Sequence, residues 1–355
     1  MESYKNRIIT ISGDPASGKG TVAKALETLY TGAGFKVTKK SVGDIFREVA
    51  VEEYKKKFPE VEAPSLEEIC NNPNFAEELK AIDLSLDSRV EQLGRDFNSK
   101  ARPNEILIVD SRLGWFNIPG SFAVKLTVDS KTAGERVFND PKRGKEDRYD
   151  TVEDAIADTE SRKQSEIERY IKLYNADLRK PENFKLIIDT TATQREDVAY
   201  IAQLIKICEE REWNGLPYAK TWASPTLFYP TQPIGYTWST AEDTTAGMTP
   251  EQLAKCIKEN GIYPDKPVYA TSVINSSYHF VSDGHHRVYA SIIAGQPLIP
   301  YITKGTVDKA TVSCQKKLSD IYDHEDATIK PDGTAFRYAE YPTIDERAEE
   351  LDRYC

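Results

Sequence analysis

Along the first two hundred positions, short apolar runs alternate with stretches of helical spacing. Ile8-Ile9-Thr10-Ile11-Ser12, Glu105-Ile106-Leu107-Ile108-Val109-Asp110, Ala123-Val124-Lys125-Leu126-Thr127-Val128 and Phe184-Lys185-Leu186-Ile187-Ile188-Asp189-Thr190 have the length and apolar content of buried strands. Residues 35–42 form a more polar one. Val22-Ala23-Lys24-Ala25-Leu26, the set Ile82, Leu86, Val90 and Leu93, and residues 195–211 carry the periodicity of amphipathic helices. Strand and helix in alternation over residues 1–207 predict an α/β fold built on a parallel sheet.

The texture changes at Trp213. Prolines and aromatics crowd residues 213–238 (Trp213, Tyr218, Trp222, Phe228, Tyr229, Tyr236, Trp238), with Lys220 the only cation. A nucleic-acid platform would interleave more Arg and Lys, so this run reads as packing between domains. Beyond it the pattern predicts a helix over 249–261, strands over 267–274 and 278–282, a helix over 286–294 and an acidic, partly helical tail from about 315. The chain therefore divides into residues 1–212 and a smaller α+β domain over 213–355.

Composition narrows the picture. At 355 residues, 39% hydrophobic and 29% charged, the chain is an ordinary globular protein with room for two domains. The net charge of −10 is spread evenly, and residues 213–355 hold 13 Lys and Arg against 18 Asp and Glu. Neither half has the basic excess of a protein held to DNA mainly through phosphates. Cys70, Cys208, Cys256, Cys314 and Cys355 are scattered and form no CxxC pair, which predicts reduced thiols in a cytoplasm. No apolar run reaches the ~18 residues of a membrane span, and Met1–Arg7 lacks a signal-peptide pattern, so no membrane partner is expected.

The chemistry centres on Gly13-Asp14-Pro15-Ala16-Ser17-Gly18-Lys19-Gly20-Thr21, between the first strand and the first helix. Strand, glycine-rich turn and helix start are what a phosphate-binding loop requires. Gly13 and Gly18 let the backbone wrap an anion, and the N–H groups and helix dipole attract it. Gly13, Ser17, Gly18, Lys19, Gly20 and Thr21 are thus the candidate ATP-binding residues. Lys19 supplies a charge for the β- and γ-phosphates, and Thr21 offers a hydroxyl to Mg²⁺.

Three more clusters suit phosphoryl transfer. Asp110-Ser111-Arg112 ends a strand, where open α/β sheets place ligands. Asp110 is a candidate Mg²⁺ ligand with Thr21, and Arg112 a grip for an acceptor phosphate. Arg136, Lys142, Arg143, Lys145 and Arg148 form a basic run that reads, beside a phosphate loop, as a lid. Lys19, Asp110, Arg143 and Arg148 are the candidate catalytic set. Arg162, Glu166 and Arg169 share one helix face, a spacing that suits either a binding surface or a salt-bridge ladder.

Taken together these residues resemble the cytidylate kinase-like family over about residues 7–207. The matching stretches are the GKGT loop (18–21), SVGDIFRE (41–48), a helical insert with Asp83 and Asp87, VDSRLG (109–114), the lid, residues 161–178 and LIIDTT (186–191). The resemblance implies a three-layer α/β/α P-loop kinase using Mg-ATP. It also implies that Ser41, Asp44, Arg47 and Arg112 hold the acceptor while Arg162, Glu166 and Arg169 read its base. Glu166 departs from the Asp of bacterial members, and residues 51–80 are long and acidic.

The second distinctive stretch is Ser282-Asp283-Gly284-His285-His286-Arg287-Val288-Tyr289-Ala290. Residues 225–305 resemble the ParB/sulfiredoxin fold, in which such a turn opens a helix that binds phosphate or nucleotide. Asp283, Gly284, His285, His286 and Arg287 form a candidate second phosphate site: glycine for the turn, a helix start for the anion and Arg287 as donor. A metal site on His279, His285 and His286, or a capped turn with packed histidines, are the other readings. Sulfiredoxin chemistry needs a cysteine in this turn, and none is present.

The leading expectation is a Mg-ATP-dependent kinase acting on a nucleotide-like acceptor. Alternatives are a kinase for hydroxymethylated pyrimidines in DNA, with DNA then a partner, and a nucleotide-controlled binding module or free-serine-type kinase built on the ParB-like part.

Overall fold

The computed structural model describes residues 6–59, 69, 72–100, 102–140, 149–230, 248, 250–261, 263–273 and 277–307. Its first half is a parallel sheet of β1 (Arg7–Gly13), β2 (Lys36–Ser41), β3 (Glu105–Asp110), β4 (Phe122–Thr127) and β5 (Leu186–Asp189), in the order β2-β3-β1-β4-β5. β1 lies between β3 and β4, in register from Arg7↔Ile106 to Ile11↔Asp110 and from Ile9↔Phe122 to Gly13↔Leu126. The chain order reverses on the two sides of β1, which opens a crevice at its carboxyl end. Parallel strands need crossovers, supplied by α1 (Lys19–Gly32), α2 (Val42–Lys57), α3 (Ala76–Asn98), α4 (Gly114–Asn117), α5 (Ser130–Phe138), α6 (Val152–Tyr174) and α7 (Val198–Trp213).

Both faces of the sheet are covered, which is why its strands read as near-continuous apolar runs. Ile9, Ile11, Ile106 and Ile108 point to one face, against Val22, Leu26 and Tyr30 of α1 and Ile201, Leu204 and Ile205 of α7. The alternate residues Ile8, Leu107 and Val109 point to the other, against Ile45, Val49 and Tyr54 of α2 and Ile82, Leu86 and Val90 of α3. This is the expected three-layer arrangement.

The predicted boundary at 212/213 falls at the end of α7, but the sheet runs through it. β6 (Thr221–Ala223) adds to the free edge of β5 through Ile187↔Thr221 and Ile188↔Trp222. The sheet then continues through β10 (Ile299–Val307), β8 (Val268–Val273), β9 (His279–Asp283) and β7 (Phe228–Pro230), making ten strands among the described residues. α8 (Pro250–Asn260) and α9 (His285–Ile293) pack against each other through Leu253, Ala254, Ile257 and Ala290. The extension has a small core of its own around Phe228, Val268, Val281 and Val288. Trp222 and Leu298, however, are buried in the core of the first half. β10 was not legible as a strand because Pro297, Pro300 and Gly305 punctuate it. It tolerates Pro300 close to its start and shifts register between Thr303 and Gly305.

Lys142, Arg143, Lys145 and Arg148, the tail from residue 308, Tyr236 and Trp238 lie outside the described residues. Among those described, no helix is long and apolar enough to cross a membrane. Cys208 and Cys256 are free thiols.

Candidate active site

The loop after β1 has the shape of an anion cradle. Gly13 sits where a Cβ would fall 2.6 Å from Ser17 Oγ and 2.7 Å from the Leu126 carbonyl, so no larger residue fits. Ala16 (φ 58°) and Gly18 (φ 87°) both take left-handed backbone, which turns successive N–H groups inward. For Ala16 this conformation costs about 1 kcal/mol, a strain characteristic of binding loops. Gly18 caps α1 without any side-chain hydrogen bond, so the N–H groups of its first turn (Lys19, Gly20, Thr21) have no cap partner. Ser17 Oγ is likewise buried without a partner. Uncapped donors, an unpartnered hydroxyl and Lys19 are what a triphosphate needs, so the residues fit ATP.

Lys19 enters a cleft of about 450 Å³ together with Asp110, Arg112, Asp87, Arg169 and Tyr174, among others. Burial and the nearby Arg112 charge pull the Lys19 pKa down, partly offset by Asp110 and Asp14. Burial pushes Asp110 up, against the pull of Lys19 and Arg112. Asp110 Oδ2 lies 3.6 Å from where a Cβ on Gly20 would stand, which sets the carboxylate beside the first turn of α1 that carries Thr21. A hydroxyl and a carboxylate at one helix start suit Mg²⁺: Thr21 and Asp110 would hold it, and it would supply positive charge to offset that of the phosphates. The β3 end is fixed by Ser12, whose hydroxyl bonds the Ser111 and Arg112 carbonyls.

The predicted acceptor residues separate. Ser41 and Asp44 make the capping box of α2: the Asp44 N–H donates to Ser41 Oγ at 3.0 Å and the Ser41 N–H to Asp44 Oδ2 at 3.0 Å. These bonds, the Ser41 hydroxyl first, hold Asp44 below its ordinary pKa. Arg47 pairs with Asp44 at 2.9 Å and is largely exposed. Ser41 lines the cleft; Asp44 and Arg47 do not. On α6, Arg162 pairs with Asp158 at 2.8 Å, Glu166 pairs with Arg112, and Arg169 lies over Tyr170 in the cleft. One helix face thus serves three different surroundings.

Arg136, grouped with the lid by sequence, instead clamps the phosphate loop from below. It donates to the carbonyls of Ala16 (3.3 Å), Thr190 (2.6 Å) and Thr193 (3.0 Å). Sequence reasoning gave no role to Tyr174, Asn117 or Lys163. Tyr174 OH and Asn117 Nδ2 donate to the two oxygens of Asp87 at 2.7 and 3.0 Å, aiming that carboxylate along the cleft wall. The Asp87 bond, with burial, pushes the Tyr174 pKa up to about 12. Lys163 pairs with Asp14 at 2.8 Å, tying α6 to the loop. No motif signals these contacts; they appear only when α3, α4 and α6 converge.

A second cleft of about 840 Å³ lies beyond the loop, walled by Ser12–Pro15, the ends of β4 and β5, and α6. Glu166 belongs to this cleft rather than to the first.

At the second predicted phosphate site, Gly284 (φ 96°) caps α9 as expected of a tight turn. Arg287 folds back over it, donating to the Pro267 carbonyl at 2.7 Å and to Asp283 at 3.4 Å. His285 is buried, and burial lowers its pKa to about 4. Among the described residues no group of three His, Cys, Asp or Glu side chains could hold a metal ion. His279 instead stacks on Phe228 and bonds Ser272 Oγ at 2.9 Å.

Residues 8–192 match the model of the cytidylate kinase-like family. The cytidylate kinase of Methanocella arvoryzae is 32% identical over 194 residues, 55% of this chain and 93% of that protein. That of Methanosphaera stadtmanae is 29% identical over 206 residues, 58% of this chain and 99% of that one. Shikimate kinase from Bacteroides thetaiotaomicron is a structural neighbour at 10% identity and TM-score 0.34, covering 59% of this chain and 99% of its own. The phosphate loop, the β3 end and this match agree: the chain is an ATP-dependent kinase and belongs to the cytidylate kinase-like family.

Proposed function

We propose that this chain transfers the γ-phosphoryl group of Mg-ATP to a pyrimidine nucleoside monophosphate. The observation that carries the reading is the shared cleft: Lys19, Asp110 and Arg112 open into the same space as Asp87, Arg169, Tyr170 and Tyr174. The donor's phosphates lie on the loop N–H groups and Lys19, with its nucleoside toward the second cleft. The acceptor phosphate lies at Arg112, and its base between Asp87, Tyr170 and Tyr174. Transfer is in line, with the acceptor phosphate oxygen forming the new P–O bond as the bond to ADP breaks. Lys19 and the loop amides stabilise the charge that spreads over the moving group, and the lid arginines Arg143 and Arg148 are proposed to add to this.

The likeness of residues 225–305 to ParB-like proteins, and an anion site at the DGHHR turn, stay within this proposal as properties of the extension. The test offers γ-labelled ATP with CMP, UMP, dTMP and DNA containing hydroxymethyluracil. Label entering a mononucleotide supports the reading. Label entering only the DNA moves the acceptor to a base hydroxyl, and label in free phosphate alone favours a nucleotide-controlled module.

A further inference from the structure

The family match ends at residue 192, yet a residue from far beyond it lines the second cleft. Ser277, in the turn leading into β9, lines this cleft with Ser12–Pro15, Asp129 and Asp189. Its hydroxyl is hydrogen-bonded to Thr191 Oγ1 at 3.1 Å. The Thr191 N–H donates to Asp189 Oδ1 at 2.8 Å, and Thr191 Oγ1 accepts from the Asp129 N–H at 3.0 Å.

Thr191 Oγ1 accepts from the Asp129 N–H and its hydroxyl can donate to Ser277 Oγ, while the Thr191 N–H goes to Asp189. One set of bonds centred on Thr191 thus joins the β4–α5 turn, the β5–α7 turn and the extension, and such networks rigidify what they link.

The wall so formed suits the nucleoside part of a triphosphate better than its phosphates. It presents Asp129 and Asp189, which repel phosphate and accept from sugar hydroxyls. The cations facing it are already engaged: Lys163 with Asp14, Lys125 with the Leu178 carbonyl and Arg179 with Asp177.

Resting on the donor site proposed above, we infer that the extension is a working part of that site. Ser277 is a positioning residue that holds Thr191, and with it the β5–α7 turn, in the wall contacted by the donor's sugar. The kinase half then depends on residues outside its family match for donor affinity, and the continuous sheet fixes the distance between them.

Calorimetry on the full chain tests this, titrating ATP and CMP separately into wild type, Ser277→Ala, Ser277→Thr and Lys19→Ala. The expected result is roughly five-fold weaker ATP binding in Ser277→Ala, the effect of removing one hydrogen bond between neutral groups. CMP binding stays unchanged, and Ser277→Thr, which keeps the hydroxyl, restores ATP affinity. ATP affinity equal to wild type in Ser277→Ala, even with a lowered melting temperature, overturns the inference. If Lys19→Ala also leaves ATP affinity unchanged, or wild type binds no ATP, the donor-site reading itself falls.

Discussion

Arg112 and Glu166 form an ion pair that joins the end of β3 to the middle of α6. Both side chains are mostly buried, so the pair fixes the guanidinium that lines the first cleft, where the acceptor phosphate is proposed to lie. Arg112→Ala and Glu166→Gln should each lower kcat/KM for the acceptor, and the double variant should be no worse than Arg112→Ala alone. Residues in contact typically show about 0.5–3 kcal/mol of non-additivity in such a cycle. Strictly additive losses would mean that Glu166 acts independently, as a base-reading residue.

Asp87 is held by Tyr174 and Asn117 from two other elements. An oriented carboxylate accepts from a base amine and repels a carbonyl oxygen, and bidentate-quality mismatches of this kind are worth about 1–3 kcal/mol. Asp87→Asn should therefore raise the KM for CMP about ten-fold or more while leaving the KM for ATP unchanged. Equal effects on both substrates would place Asp87 in the scaffold.

The raised pKa of Asp110 has two opposite consequences. Its ionised form is the one that suits Mg²⁺, so kcat/KM should fall with decreasing pH at values above the ordinary carboxylate range. For stability, a folded pKa above the unfolded one means that deprotonation is harder in the fold. Stability from this group is therefore present at low pH and lost as pH rises through the folded value. At neutral pH Asp110→Asn should accordingly raise the melting temperature while lowering kcat about 10²-fold or more. Thermal melts beside steady-state rates decide this, and a variant that melts lower would remove the linkage argument.

Arg287 supports the turn it follows. Arg287→Ala removes bonds to Pro267 and Asp283 and should destabilise the fold by about 1–2 kcal/mol, measured by denaturant unfolding. As the donor of the anion site proposed at this turn, Arg287 should also carry phosphate affinity there, so the variant should bind phosphate more weakly. Phosphate affinity unchanged in the destabilised variant would leave Arg287 a structural residue of the turn.

What the chain made legible follows from how local each signal is. The phosphate loop and the β3 end are local: a few adjacent residues specify a turn, a helix start and a carboxylate at a strand end. The alternation of Ile8, Ile9, Ile11, Ile106 and Leu107 likewise announces a sheet covered on both faces. Contacts between distant elements left no such mark. Arg162 and Glu166 share a helix face, but only the approach of β3 gives Glu166 a partner in Arg112 and leaves Arg162 to Asp158. Arg136 looks like a lid cation by sequence, and it is the nearness of α5 to the loop that turns it onto the Ala16 carbonyl. The extension reads as a separate domain by sequence because the texture changes at Trp213, where prolines and aromatics crowd residues 213–238. The edge of β5 is nevertheless open, and Trp222 carries β6 onto it.

The most direct test of the account is a transfer assay with γ-labelled ATP and CMP, comparing wild type with Lys19→Ala and identifying products by mass. The account predicts ADP and a nucleoside diphosphate in equal amounts, with turnover lowered on the order of 10³-fold in Lys19→Ala. Consumption of ATP with label appearing only as free phosphate, or full transfer by the Lys19→Ala variant, would contradict it.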